Sequence, residues 1–153
     1  MNRVVIAYLF DPTLTKVVMI QKRRPDWMEG LFNAPGGHVE EGETFEDANV
    51  REFYEETGVQ ISSTFWNKFL ELNRSDRVII GYWWISYSIN KVKTVTDEQV
   101  AVCDVESLLS RPDELVRDVS WILPMAQSAA RNGPNFDSFY VVNDTLRSAD
   151  DNR

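Results

Sequence analysis

Three glutamates on one turn of a predicted helix are the residues of this chain best placed to do chemistry. Glu52, Glu55 and Glu56 stand at i, i+3 and i+4, a spacing that gathers their carboxylates on one side of a helix. Two such groups about 6 Å apart repel by roughly 0.7 to 3 kcal/mol for an effective dielectric between 80 and 20. Three together raise a pKa or demand a cation, and hard oxygen donors suit Mg²⁺ or Mn²⁺ better than zinc. The same residues also fit an acidic solvent face with Arg51 as partial counter-ion. Just ahead lies Ala34-Pro35-Gly36-Gly37-His38. Its two glycines permit tight turning and close backbone approach, so the loop can present a main-chain carbonyl to a metal on the helix.

The elements that must hold these residues are legible around them. The helix, 44–57, has Thr44 in N-cap position with Asp47 three residues on, and Gly58 just past its last turn. Val50, Phe53, Tyr54 and Thr57 fall on one side and are expected to face the core. Residues 4–10 and Lys16–Gln21 are apolar, β-branched runs joined through Asp11-Pro12-Thr13-Leu14-Thr15, which predicts a hairpin. A second strand pair, 61–72 and 77–89, flanks Asn73-Arg74-Ser75-Asp76. In the last of these, Ile79, Trp83, Ile85 and Tyr87 share one face and Val78, Ile80, Tyr82 and Trp84 the other. A strand apolar on both faces belongs between two layers, so an α/β fold with helices on either side of a sheet is expected. A strand at 100–104, a short helix at Val105–Leu109 and a longer helix at 119–130 follow, Pro124 either kinking the last or marking its first turn. Residues 139–142 read as an edge strand. The polar stretch 143–153 is expected to fray as a flexible tail, leaving a single domain over 1–142.

Composition narrows the function. The chain has 153 residues, 43% of them hydrophobic and 26% charged, with a formal net charge of −8. The size fits one domain, and the acidity disfavours a nucleic-acid polymer, whose binding rests on Lys and Arg contacts to phosphates. A small phosphorylated ligand arriving with cations remains compatible. One cysteine makes no internal disulfide, which fits a reducing, cytoplasmic setting. No apolar run approaches the roughly 20 residues that span a bilayer, and no signal-peptide layout precedes the first strand. That strand reads as exposed and, with the many aromatics, would permit a homodimer.

Gly37, five residues, Glu43, seven residues, then Arg51-Glu52-Phe53-Tyr54-Glu55-Glu56-Thr57-Gly58-Val59 resembles the Nudix box, G-x5-E-x7-R-E-U-x-E-E-x-G-U, where U is bulky and apolar. All seven fixed positions match. Phe53 stands where an aliphatic residue is more usual, still as a core-facing apolar side chain. The resemblance implies a Nudix-type α/β/α sandwich, a mixed β-sheet between helices, that hydrolyses nucleoside diphosphates linked to another moiety. It also implies that Glu52, Glu55 and Glu56 hold Mg²⁺, or Mn²⁺ in its place, with the carbonyl of Gly36. Glu52 would double as general base, Arg51 would orient Glu52 or Glu56, and Glu43 would brace the loop against the helix. Family members often borrow an acid from a loop beyond the central strands. Asp97-Glu98-Gln99 lies in that stretch, and Glu98 is the expected ligand, although both acids also fit a plain turn before the strand at 100–104. His38 is given no catalytic task.

The stretch from Trp27 to Gly37 further resembles the base-pocket wall of MutT-type enzymes, which clear oxidised nucleoside triphosphates. On that likeness Asn33 hydrogen-bonds a purine, Trp27 stacks near it, and Asp118 reads the base edge. The expected reaction is hydrolysis of a nucleoside triphosphate, oxidised or not, to monophosphate and pyrophosphate. Some ADP-ribose hydrolases of the family carry a Pro, and some dinucleoside-polyphosphate hydrolases a Tyr, shortly beyond the box; residues 60–77 contain neither. Those two substrates and nucleotide sugars stand as alternatives, as does a non-catalytic nucleotide-binding module, in which the box acids are usually eroded.

Overall fold

A computed structural model of the chain describes residues 1–135 and the strand at 140–143. The strands are β1 (Asn2–Phe10), β2 (Lys16–Gln21), β3 (Phe32–Asn33), β4 (Gly36–His38), β5 (Asn67–Asn73), β6 (Arg77–Ile85), β7 (Gln99–Asp104) and β8 (Tyr140–Asn143). The α-helices are α1 (Phe45–Thr57), α2 (Val105–Leu109) and α3 (Val119–Asn132). One mixed sheet runs in the order β3-β2-β1-β6-β5-β8, with β4 added to β1 and β7 to β2. β1 and β6 pair in parallel along their whole length, from Asn2 opposite Arg77 to Phe10 opposite Ile85. β1 meets β2 with Phe10 opposite Val17 near their turn, while β4 joins β1 with Val5 opposite Gly37 and Ile6 opposite Gly36.

Alternation along the strands builds two cores. Val5, Ala7 and Leu9 of β1 and Ile80 and Tyr82 of β6 pack under Ala48 and Phe53 of α1. Ile6, Tyr8 and Phe10, with Ile79, Trp83 and Ile85, pack under Val119, Ile122, Leu123 and Ala126 of α3. The sheet therefore lies between α1 on one side and α2 with α3 on the other, the sandwich that the two-faced β6 predicts. Helix α1 is capped as expected: Thr44 Oγ1 accepts the Asp47 N–H at 3.1 Å, and Gly58, at φ 74°, closes the helix onto Tyr54 O.

Several expectations need correction. Tyr54 is half exposed rather than core-facing, and its place is taken by Ala48 and Asn49, both buried. Residues 61–66 are not strand. Ser62 and Thr64 hydrogen-bond one another at 3.0 Å, and Phe65 N–H reaches Ser62 O at 3.0 Å, so a local turn wins over the ladder. β6 stops at Ile85, where Ser86 N–H caps Phe10 O; Tyr87 is 92% exposed and shares no face with Ile85. Helix α3 begins at Val119, so Pro124 lies inside it rather than in its first turn. The first strand, expected to be exposed, is the buried centre of the sheet: Val5 through Phe10 are all buried. The edge strand is present as β8, parallel to β5. The expected fraying tail, apart from Asn143 itself, lies outside the described residues. No described helix is long and apolar enough to cross a membrane.

Candidate active site

The glycine loop and α1 meet because β4 hydrogen-bonds to β1 directly beneath the helix. Glycine is required at both positions by space rather than by torsion. A Cβ on Gly36 would lie 2.0 Å from Val5 O, and one on Gly37 would lie 2.4 Å from Glu52 Cδ. The bare backbone at Gly37 is what lets the Glu52 carboxylate rest against the loop.

Arg51 ties this corner together. Its Nε and Nη2 donate to Glu43 Oε2 and Oε1 at 2.7 and 2.9 Å, a two-pronged pair. Nη2 also reaches His38 O at 2.9 Å, and Nη1 donates to Glu52 Oε1 at 2.9 Å and Glu55 Oε2 at 3.2 Å. Glu43 in turn accepts Glu40 N–H at 3.0 Å. Hydrogen bonding to Arg51 pulls the Glu43 carboxyl down to about 2. Burial pushes Glu52 above the usual carboxylate range despite the adjacent guanidinium. His38 contributes its carbonyl to Arg51.

Glu56 turns the other way, accepting Gly36 N–H at 3.2 Å. Burial lifts it to about 8; the Gly36 N–H opposes the rise, the charges of Glu52 and Glu98 add to it, and Lys22 counters it. Glu98, from the loop before β7, is close enough for its charge to act on Glu56. It accepts Lys22 Nζ at 3.2 Å and Arg23 N–H at 2.7 Å, and its side chain is only 13% exposed. Its neighbour Asp97 faces outward in a pair with Arg24 at 2.7 and 2.9 Å. Glu52, Glu55, Glu56 and Glu98 are hard oxygen donors, and the Gly36 peptide sits among them. Among the described residues, however, no three acids converge on one point. Glu52 and Glu55 lean on Arg51, Glu56 on Gly36 and Glu98 on Lys22. The donor chemistry fits Mg²⁺ or Mn²⁺, and binding would require those leanings to loosen.

A cavity of about 410 Å³ opens between β1, β6 and the start of α3, and its lining includes Tyr8, Trp27, Asn33, Arg74, Ile79 and Asp118. All three expected pocket residues are brought together there. Trp27 is 70% exposed and so not a core residue. Asn33 fixes its carboxamide by accepting Ala34 N–H on Oδ1 at 2.9 Å. Asp118 is already engaged, by Arg74 Nη2 at 2.6 Å and Trp121 Nε1 at 3.1 Å. Asn33 is three residues from Gly36, so their Cα atoms are at most about 11 Å apart. Sequence reasoning missed Lys22, Arg74 and Tyr8. Lys22 could have been found, since Lys22-Arg23-Arg24 is a basic run in an acidic chain. Arg74 reads as a turn residue and Tyr8 as ordinary strand core.

A family model described as NUDIX domain matches residues 1–126, and the chain belongs to the Nudix family. Over 46 residues it is 46% identical to an uncharacterized Nudix hydrolase, YvcI, of Bacillus subtilis, covering 30% of this chain and 27% of that protein. Over 42 residues it is 50% identical to an ADP-ribose pyrophosphatase of Methanocaldococcus jannaschii, covering 28% and 25%. The matches therefore span about a quarter of the length of these relatives. A crystal structure of a NUDIX hydrolase from Nitrosomonas europaea superposes with a TM-score of 0.73 at 12% identity, covering 94% of this chain and 78% of that one, a likeness of fold alone. Nudix hydrolases generally use divalent metal ions and act on small nucleotides.

Proposed function

We propose that the chain is a Mg²⁺-dependent pyrophosphohydrolase, with Mn²⁺ as a substitute, that cleaves a nucleoside triphosphate, oxidised or not, to monophosphate and pyrophosphate in the cytoplasm. The observation that carries this reading is the continuity of two unlike regions. Glu52 and Glu56, acids suited to divalent ions, rest against Gly37 and Gly36, and the Gly36 Cα lies within about 11 Å of that of Asn33, which with Trp27 lines the cavity.

Glu52, Glu55, Glu56 and Glu98, with the Gly36 carbonyl, are the groups that would hold the ions. The bound cations would neutralise the pyrophosphate and make a water more acidic. Glu52, raised by burial yet still touched by Arg51, accepts the proton of the attacking water. Arg51 aims Glu52, and Glu43 fixes Arg51 against the loop. Trp27 offers a stacking face to the base, Asn33 a hydrogen bond to it, and Asp118, steadied by Arg74 and Trp121, an acceptor toward its edge.

ADP-ribose hydrolysis is the second reading, favoured by the 50% identity to the Methanocaldococcus jannaschii protein over its matched segment and opposed by the lack of a Pro in 60–77. Incubation with a panel of nucleoside triphosphates, ADP-ribose, nucleotide sugars and dinucleoside polyphosphates, with Mg²⁺ or Mn²⁺ and product identification, tests all of these. A monophosphate with pyrophosphate is expected. AMP with ribose 5-phosphate would transfer the assignment to ADP-ribose. Nucleotide binding with no products from any member would leave a binding module instead.

A further inference from the structure

The hydroxyl of Tyr8 is buried and has no hydrogen-bond partner among the described residues, although its ring lines the cavity beside Trp27 and Asn33. The ring is held by its neighbours, stacked on Phe10 with centroids 6.5 Å apart and edge-on to Phe69 at 5.9 Å. A phenylalanine would pack there equally well. The hydroxyl therefore adds only the cost of an unsatisfied buried polar group unless a ligand meets it. Asp118, another cavity residue, is close enough for its charge to act on this hydroxyl. Burial and that charge both hold the phenol far above its usual range, so it stays protonated and is a donor.

From the unpartnered hydroxyl of Tyr8, a residue that lines the same cavity as Asp118, we infer that Tyr8 is a specificity-determining residue, donating a hydrogen bond to a ring carbonyl of the base and so selecting oxo bases. The inference rests on the reading that this cavity receives the base. The two neighbouring groups have opposite polarity: Tyr8 supplies a proton and the Asp118 carboxylate only accepts. A cis-amide edge, C=O beside N–H, complements that order, as in hypoxanthine, guanine and uracil. Adenine and cytosine present an amine beside an imine nitrogen, whose lone pair would face the carboxylate. A site with buried polar groups discriminates most strongly against the ligand that leaves them unpaired.

Isothermal titration of the whole chain with mononucleotides, without metal, tests this apart from turnover. Inosine 5′-monophosphate is compared with purine riboside 5′-monophosphate, which lacks only the C6 oxygen and the associated N1–H. The wild-type chain is expected to bind the inosine nucleotide roughly ten- to a hundredfold more tightly, the worth of the two hydrogen bonds to Tyr8 and Asp118. Tyr8→Phe is expected to narrow that preference by about three- to tenfold, the worth of the Tyr8 hydrogen bond, leaving the part owed to Asp118 and N1–H, while unfolding at the same temperature or higher. Equal binding of the two nucleotides by the wild-type chain would overturn the inference without recourse to a variant. A preference that survives undiminished in Tyr8→Phe would do the same. Trp27→Ala separates this failure from that of the underlying reading. If it weakens binding while Tyr8→Phe leaves the preference intact, the cavity still holds the base and only the role of Tyr8 falls. If neither the wild-type chain nor Trp27→Ala binds either nucleotide, both fall together.

Discussion

Glu56 is the residue whose environment is most at odds with its chemistry. It is a carboxylate drawn under the glycine loop, lifted to about 8 chiefly by burial, with Glu52 and Glu98 adding to the rise. An acid whose folded pKa exceeds its unfolded value of about 4.3 stabilises the fold fully below that value and loses the contribution as pH rises towards 8. The metal-free protein is therefore expected to lose on the order of 4 kcal/mol from this group between pH 5 and 8.5. Glu56→Gln removes the titration, so in EDTA it should be more stable than the wild-type chain at pH 8.5 and nearly equal at pH 5 by urea unfolding. Its hydrolytic activity should fall by about 10- to 100-fold or more. A variant no more stable at high pH would mean that Glu56 carries its charge without strain. The spacing of the three glutamates makes this crowding legible in the sequence. What spacing cannot reveal is that Arg51 takes Glu52 and Glu55, Gly36 takes Glu56 and Lys22 takes Glu98, because those contacts depend on side-chain direction across separate elements.

At the scale of elements, the Glu43–Arg51 pair straps the loop after β4 to the middle of α1. Two N–H···O bonds of 2.7 and 2.9 Å carry it, with the Arg51 hydrogen bond to His38 O extending the strap. Glu43 is held down to about 2, so its contribution is present above an unfolded value of about 4.3 and is lost as pH falls towards 2. Both side chains meet solvent in part, which discounts the pair to about 1 to 2 kcal/mol. Glu43→Gln is expected to be less stable by that amount at pH 7, the gap narrowing steadily from pH 4.5 to 3 as the wild-type chain loses the same bonds. A gap that is constant with pH would show that the charge of Glu43 is irrelevant to the strap. Helix α1 itself, with its Thr44 cap and Gly58 stop, is legible from local signals because those signals act within a few residues. The loop at 61–66 was not, since a run of β-compatible residues hides the Ser62–Thr64 hydrogen bond that turns the chain. Tyr54 shows the same limit: helical spacing places it beside Phe53, but the width of the buried stripe is set by the sheet below.

Taken whole, the sandwich is foreseeable from β6, whose two apolar faces require a layer on each side. The pairing is not, because β1 finds its parallel partner in β6, 75 residues on, and alternation names faces rather than neighbours. That pairing sets β1 at the centre and places Tyr8 on the floor of the cavity, while β4 carries the glycine loop along the other edge of β1. The acid cluster and the cavity thus share one strand and the short run from Asn33 to Gly37. A ligand spanning both regions should couple them, since base contacts order the segment that also presents Gly36 to the acids. Thermal unfolding with Mn²⁺ alone, with a nucleoside monophosphate alone and with both is expected to show a combined shift larger than the sum of the separate ones. Each ligand at a hundredfold its dissociation constant contributes about 2.7 kcal/mol by mass action, so any excess over the two separate contributions reports the coupling. Strict additivity would mean that the ions and the base occupy regions that do not communicate, and the phosphate chain would then have to be placed elsewhere on the surface.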